Sequence, residues 1–131
     1  MHKTVSSPEA HSPARAALTG GVALDDQVIL SGQMAYDAAI DGIPDDMDAG
    51  EQTRVIMEKI GALLRSEGLD YGDIVKVTIF LTDINDLRAM NEVYASYVKE
   101  PYPARSTVGV TFLAVPKGRV EIEATAVRRL A

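Results

Sequence analysis

One run of eight residues does most to constrain the fold of this chain. Ile74–Leu81 (IVKVTIFL) is apolar almost throughout and rich in β-branched side chains, which favour strands over helices. A run of this length and composition predicts a central strand that is covered on both faces. We therefore expect a sheet to form around residues 74–81.

Amphipathic segments on either side of this run predict two helices. The first extends from about Ala49 to Glu67, with Asp48 as its N-cap. The second extends from about Ile84 to Val98, with Thr82 or Asp83 as its cap. Because their apolar residues recur every three or four positions, each helix presents one apolar face to the sheet.

Short strands at both ends of the chain complete the predicted sheet. Ala16–Leu24 and Val28–Leu30 predict an antiparallel hairpin, and Lys3–Val5 is a candidate for one more short strand. Thr107–Leu113 and Arg119–Val127, which are separated by a Pro-Lys-Gly turn, predict two closing strands that form a second hairpin.

The order of these elements, β-β-α-β-α-β-β, predicts the fold class. We expect a single α+β domain spanning residues 1–131, in which two helices cover one face of a mixed sheet. The other face would stay bare in a monomer, and small domains commonly bury such a face against copies of themselves. On this ground we expect a homo-oligomer.

The inventory of reactive side chains limits the chemistry. The 131 residues include no Cys and only two His, His2 and His11. A thiolate nucleophile, a disulfide and a Cys-ligated metal are therefore excluded. Because both His lie close to the N-terminus, we expect neither a Ser-His-Asp triad nor a metal site. Catalysis would have to use carboxylates, Arg, Lys, Tyr, hydroxyl groups, the backbone and water.

Net charge and hydropathy exclude several classes of partner. The formal net charge is −6, whereas tight nonspecific binding of nucleic acid needs clustered Lys and Arg. No apolar run approaches the roughly 20 residues of a membrane span, and the polar segment Met1–Ala10 argues against a secretory signal. We expect a cytoplasmic protein that binds neither nucleic acid nor membranes.

Arg105 is the first candidate site residue. It lies between the proline-fixed turn at Pro103 and the start of a predicted strand. Its planar guanidinium group matches a carboxylate in bidentate fashion, which suits the binding of a small acid. An arginine that pairs with an acidic neighbour or faces water is the more common case and remains the alternative.

Glu121 is the second candidate. In Val120–Ala126 the apolar residues alternate with Glu121 and Glu123, which therefore share one strand face. Two like charges raise at least one carboxyl pKa, and such a group could hold or activate a water molecule. The alternative is a solvent-facing strand whose charges discourage aggregation. Ser31-Gly32 adds a hydroxyl and an accessible backbone N–H, although this pair is common in turns.

Four segments together resemble one known family. They are Ser31-Gly32-Gln33, Gly72-Asp73-Ile74-Val75-Lys76, Tyr102-Pro103-Ala104-Arg105-Ser106, and Val120-Glu121-Ile122-Glu123-Ala124 with Ala126-Val127. Their order and spacing, from Val22 to Arg129, are similar to those of the Rid (YjgF, reactive intermediate deaminase) family. The most specific part of the resemblance is Pro-Ala-Arg-Ser followed by Glu-Ile-Glu-Ala.

The resemblance implies a chorismate-mutase-like α+β fold that assembles as a homotrimer with clefts between adjacent subunits. It also implies hydrolysis of enamines and imines, such as 2-aminoacrylate and 2-iminobutanoate, to 2-oxo acids and ammonia without a cofactor. By position, Arg105 would bind the substrate carboxylate and Glu121 would hold the attacking water or assist proton transfer. Ser31, Gly32 and Thr107 would line the cleft.

Three positions depart from what the resemblance leads us to expect. Leu18, which would also line the cleft, stands where the best-known members carry a Tyr. Thr107 stands where they often have a Cys, and Gly109 where they often have a Glu. The cleft is then less polar, which leaves open a trimer that binds 2-oxo acids with little turnover. Endoribonuclease activity, also reported within the family, fits poorly with a net charge of −6.

Overall fold

The computed structural model describes residues 2–13 and 16–129. Within these residues, six strands, two α-helices and two short 3-10 turns follow one another along the chain. In chain order they are β1 (Lys3–Val5), β2 (Gly21–Ala23), β3 (Gln27–Leu30), α1 (Ala49–Arg65), a 3-10 turn (Tyr71–Asp73), β4 (Ile74–Leu81), a 3-10 turn (Ile84–Asp86), α2 (Leu87–Ala95), β5 (Ala104–Gly109) and β6 (Val120–Val127).

The strands form one mixed sheet in the order β1-β2-β3-β6-β4-β5. The predicted central strand is confirmed, because β4 lies between β6, to which it is antiparallel, and β5, to which it is parallel. The N-terminal hairpin is also confirmed, with β2 antiparallel to β3 and β1 added at the sheet edge. An α+β fold with a mixed sheet and two helices is thus present.

The predicted C-terminal hairpin is wrong, because β5 and β6 do not pair with each other. Helix α2 connects β4 to β5, and a crossover of this kind places the two strands in parallel. Strand β6 pairs with the opposite edge of β4 along nearly its whole length. The fifth strand also begins earlier than predicted, at Ala104, and ends at Gly109.

Helix α1 follows the prediction closely, whereas α2 is shorter. The Asp48 carboxylate accepts a hydrogen bond of 2.8 Å from the backbone N–H of Glu51 and so caps α1. Before α2, Asp83 caps a separate 3-10 turn by accepting from the N–H of Asn85. Helix α2 ends at Ala95, where the N–H of Ser96 bonds within a tightened last turn instead of continuing the helix.

The two faces of the sheet differ in burial. Val77, Ile79 and Leu81 of β4 point toward the helices and are buried in the core. Thr78 and Phe80 point to the opposite face, which the helices do not cover, and are only partly buried. Both helices pack on one side of the sheet, as predicted, and the other side is uncovered in a single chain. We call the uncovered side the open face.

Candidate active site

Glu121 borders a cavity on the open face of the sheet. Its neighbours Val120 and Ile122 point into the core, so the Glu121 side chain points the other way. The cavity has a volume of about 520 Å³. The other predicted site residues that line it are Leu18, Ser31 and Gly32.

The surroundings of Glu121 favour its protonated form. Burial raises the pKa of the Glu121 carboxyl group above its usual value, and the like charge of Glu123 raises it further. The predicted effect of a like charge on the pKa is therefore present at Glu121, although burial is the larger cause. A carboxyl group that exchanges its proton nearer to neutral pH is suited to general acid–base catalysis.

Gly32 allows the Glu121 carboxylate to lie directly against the backbone. A Cβ atom at position 32 would collide with Oε2 of Glu121 and would lie 2.9 Å from its Cδ. The Ser-Gly pair therefore has a specific role at this position, because any larger residue would displace the carboxylate.

We expect Gly32→Ala to lower kcat of a reaction that uses the Glu121 carboxylate by about 10- to 100-fold, while the fold is kept. The side chain of Glu121 can swing away from the new methyl group, so the cost falls on the position of the carboxylate and not on the core. Steady-state kinetics with circular dichroism would measure this. Gly72→Ala is the matched control, because a Cβ at Gly72 meets no atom within 4 Å. Equal kcat in both variants would contradict the proposed packing.

Ser31 connects the cavity to the segment that carries Leu18. Its hydroxyl donates a hydrogen bond of 2.6 Å to the carbonyl of Thr19, and its N–H donates to the carbonyl of Gly20 at 2.9 Å. The Leu18 side chain, 53% exposed, presents an apolar group at the mouth of the cavity.

Gln33 also lines the cavity, although its place in the sequence predicted no role for it. It is 2% exposed, and its Nε2 donates to the carbonyl of Ser31 at 3.1 Å. Its backbone pairs with that of Ile122, the residue next to Glu121. The sequence feature that could have indicated this role is the polar residue directly after Ser31-Gly32. Gln33 holds the Ser31-Gly32 turn against the strand that carries Glu121.

Arg105 lies on the opposite, helix-covered side of the sheet. It is in register with Val77, whose side chain points toward the helices. Its Nη1 donates a hydrogen bond of 2.6 Å to Oδ1 of Asn91, and its guanidinium carbon lies 5.1 Å from the ring centre of Tyr94. Both partners are on α2, three residues apart, and they border a cavity of about 360 Å³ together with Arg105.

These contacts leave the charge of Arg105 without a counter-ion among the residues that the structure describes. Among residues 2–13 and 16–129, its guanidinium group forms no ion pair. The amide of Asn91 and the ring of Tyr94 orient the group but do not neutralise it. The sequence left open that Arg105 pairs with an acidic neighbour. No such pair forms in the described part of the chain. The guanidinium group remains available to an anionic ligand.

Thr107 faces the same side as Arg105. It is in register with Ile79, and its Oγ1 is buried without a hydrogen-bond partner among the described residues. The hydroxyl of Tyr94 is in the same condition. Buried hydroxyl groups ordinarily have a partner, so two without one mark the surroundings of Arg105 as unusual. Gly109, at the end of β5, is exposed and adds no polar group.

One chain does not bring all the predicted site residues together. Glu121, with the residues that line its cavity, is on the open face, while Arg105 and Thr107 point toward the helix-covered side. The two groups are thus separated by the sheet itself. Any site that uses both Arg105 and Glu121 must combine residues of two chains.

In the part of the chain that the structure describes, no group of three or more His, Asp or Glu side chains is placed to hold a metal ion. No described helix is long and apolar enough to cross a membrane.

Comparison with known proteins places the chain in a family. The family model described as Endoribonuclease L-PSP matches residues 9–128. This match and the relatives below show that the chain belongs to the Rid family, as its sequence motifs predicted.

Three relatives illustrate the similarity. The 2-iminobutanoate/2-iminopropanoate deaminase of Salmonella typhimurium is 39% identical, over 98% of this chain and 100% of its own length. The crystal structure of Escherichia coli TdcF with bound serine has a TM-score of 0.85 at 36% identity, covering 97% of this chain and 99% of that one. RidA from the Antarctic bacterium Psychrobacter sp. PAMC 21119 has a TM-score of 0.84 at 31% identity, covering 96% and 99%.

Proposed function

We propose that this chain is a cofactor-independent deaminase of small enamines and imines, of the 2-aminoacrylate and 2-iminobutanoate class. One observation carries this proposal: a chain 39% identical to a named imine deaminase presents a carboxyl group of raised pKa and an arginine that has no counter-ion among the described residues. Both groups are those that hydrolysis of an imino acid needs.

The chemistry requires no covalent nucleophile. The carbon of a protonated imine is already electrophilic, so catalysis needs orientation, a positioned water and proton transfer. In the proposed step, Glu121 takes a proton from water as its oxygen bonds to the imine carbon. The same proton then goes to the nitrogen, and the C–N bond breaks as the hydroxyl proton passes to Glu121 and the carbonyl forms. Ammonia takes up that proton, and ammonium and the 2-oxo acid leave. Arg105 binds the substrate carboxylate through paired hydrogen bonds.

We propose that the site forms between adjacent subunits of a homotrimer. The separation of Arg105 from Glu121 by the sheet supports a shared site, because neither half-site is complete alone. The apolar surface supports assembly, since Ile29 and Val108 on the open face are exposed and Phe112 in the loop after β5 is 77% exposed. Three expectations stay predictions: a single domain over residues 1–131, a chorismate-mutase-like fold and a cytoplasmic location.

The proposed activity has a direct test. A dehydratase can generate 2-aminoacrylate or 2-iminobutanoate in the cuvette, and the loss of the imine is followed by its absorbance. We expect the wild-type chain to accelerate this loss well above the rate in buffer. No acceleration at micromolar protein would contradict the proposal.

A second candidate is a binding protein for 2-oxo acids with little turnover. The apolar group that Leu18 places at the cavity favours it, because a less polar site handles protons less readily. Calorimetric titration with 2-oxobutanoate separates the two. Saturable binding without deamination would favour the binding protein, whereas binding together with turnover favours the enzyme.

The description of the family model also names an endoribonuclease. A net charge of −6 gives RNA cleavage little physical support. Cleavage that disappears on further purification would exclude it.

A further inference from the structure

Lys59 is a buried lysine that the proposed mechanism does not use. It lies on α1 and is 6% exposed. Its Nζ donates hydrogen bonds to the carbonyls of Tyr36 at 2.6 Å and Met34 at 2.9 Å, and a longer one to that of His11 at 3.5 Å. Lysines are almost never buried unless they are paired, and here the partners are backbone carbonyls and not a carboxylate.

The carbonyls that Lys59 contacts belong to the wall of the Glu121 cavity. Residues 34–36 follow Gln33, whose backbone pairs with the residue next to Glu121. Met34, Tyr36 and His11 also line that cavity. One ammonium group therefore ties two segments of the cavity wall to α1.

Global stability alone does not explain a buried charge at this position. An apolar residue of similar length often stabilises a protein more than a buried charge does. The carbonyls of Met34 and Tyr36, however, would then lose their donor. The lysine is therefore better explained by the conformation that it imposes on residues 34–36 than by a gain in global stability.

Several charged or titratable groups surround Lys59. Burial lowers the pKa of Lys59 to about 8, and the Asp37 carboxylate opposes this effect. The ring centre of Tyr36 lies 5.9 Å from Nζ. Glu9 and His11 border the adjoining cavity of about 410 Å³. A neutral amine has only two N–H groups to donate, so deprotonation weakens the same attachment that a substitution removes.

We propose that Lys59 is a positioning residue for deamination: it holds residues 34–36 against α1, and so shapes the wall against which the substrate lies beside Glu121. This inference rests on the proposed function. Lys59 touches no substrate and acts through the backbone of Met34 and Tyr36.

The test compares Lys59→Met, which removes the donors, with Lys59→Gln, which keeps two N–H groups without the charge. In Lys59→Met we expect the amides of residues 34–37 to exchange hydrogen about tenfold faster. We also expect KM for 2-iminobutanoate to rise about tenfold while kcat changes by less than about threefold. In Lys59→Gln we expect smaller increases in both the exchange rate and KM. Lys3→Met, at an exposed lysine of β1, is the control and should match the wild type.

The pH profile gives an independent readout. KM of the wild type should rise above about pH 8, as Lys59 loses its proton, and this rise should be absent in Lys59→Met. Unchanged exchange and unchanged KM in Lys59→Met would overturn the proposal. If Lys59→Met does not fold, Lys59→Gln and the wild-type pH profile decide, and a flat KM across pH 8 would overturn it. If the wild type does not deaminate, the proposed function fails, but exchange and titration with 2-oxobutanoate still test Lys59.

Discussion

Arg105→Ala should lower kcat/KM for 2-iminobutanoate by about 30- to 1000-fold, which corresponds to about 2–4 kcal/mol of lost binding in the transition state. The substitution removes a charged, bidentate contact to the substrate carboxylate. Most of the loss should appear in KM, because the carboxylate carries its charge in the ground state as well. Steady-state kinetics on imine generated in situ would measure the effect, and calorimetry should show a parallel loss of 2-oxobutanoate binding.

Two controls make this result specific. Arg105→Lys keeps the charge but loses the planar fork, so it should recover only part of the activity. Arg88→Ala removes an arginine of the same region whose side chain is 92% exposed and forms an ion pair with Glu92. Full activity in Arg105→Ala, or an equal loss in Arg88→Ala, would contradict the assigned role.

Glu121→Gln should lower kcat by about 100- to 10,000-fold, the range expected when a general acid–base group is removed. The amide is nearly isosteric with the carboxyl group, so binding of 2-oxobutanoate should be kept. Stopped-flow or steady-state rates together with calorimetry would separate the two effects. Parallel loss of binding and turnover would instead indicate a structural role.

The pH profile identifies the group that titrates. As pH falls through the raised pKa of Glu121, the carboxyl group takes up a proton and can no longer accept one from water. The wild-type rate should therefore fall at a higher pH than an ordinary glutamate would give. Glu123→Gln removes the neighbouring charge, so the inflection should move to lower pH while most of the activity remains. If the inflection is the same in Glu121→Gln and in Glu123→Gln as in the wild type, another group titrates.

Local patterns predicted the elements of this fold, while pairing between distant strands decided its topology. The apolar run of β4 and the alternation in β6 were sufficient to predict both strands and the direction in which Glu121 points. The C-terminal hairpin failed because β5 and β6 are neighbours in sequence but are placed by α2 and by the edge of β4. The local pattern of Thr107–Leu113 does not show which strand this segment pairs with.

Motifs predicted Arg105 and Glu121, but not their separation by the sheet. That separation follows from the register of β5 and β6 on β4, which only the folded chain defines. Lys59 did leave a signal, since it stands three residues after Ile56 and four before Leu63 on the apolar side of α1. A lysine on a buried stripe is unusual enough to mark in advance. Its carbonyl partners, however, come from a loop whose path the sequence does not indicate.

In the proposed assembly, Arg105 of one chain and Glu121 of another form one site. Refolding an equimolar mixture of Arg105→Ala and Glu121→Gln chains tests it directly, because some mixed interfaces combine two intact half-sites. For random assembly of a homotrimer, one interface in four is of this kind, so activity should return to about a quarter of the wild-type value. Each variant refolded alone is the control and should stay nearly inactive. A mixture no more active than its components would contradict the shared site.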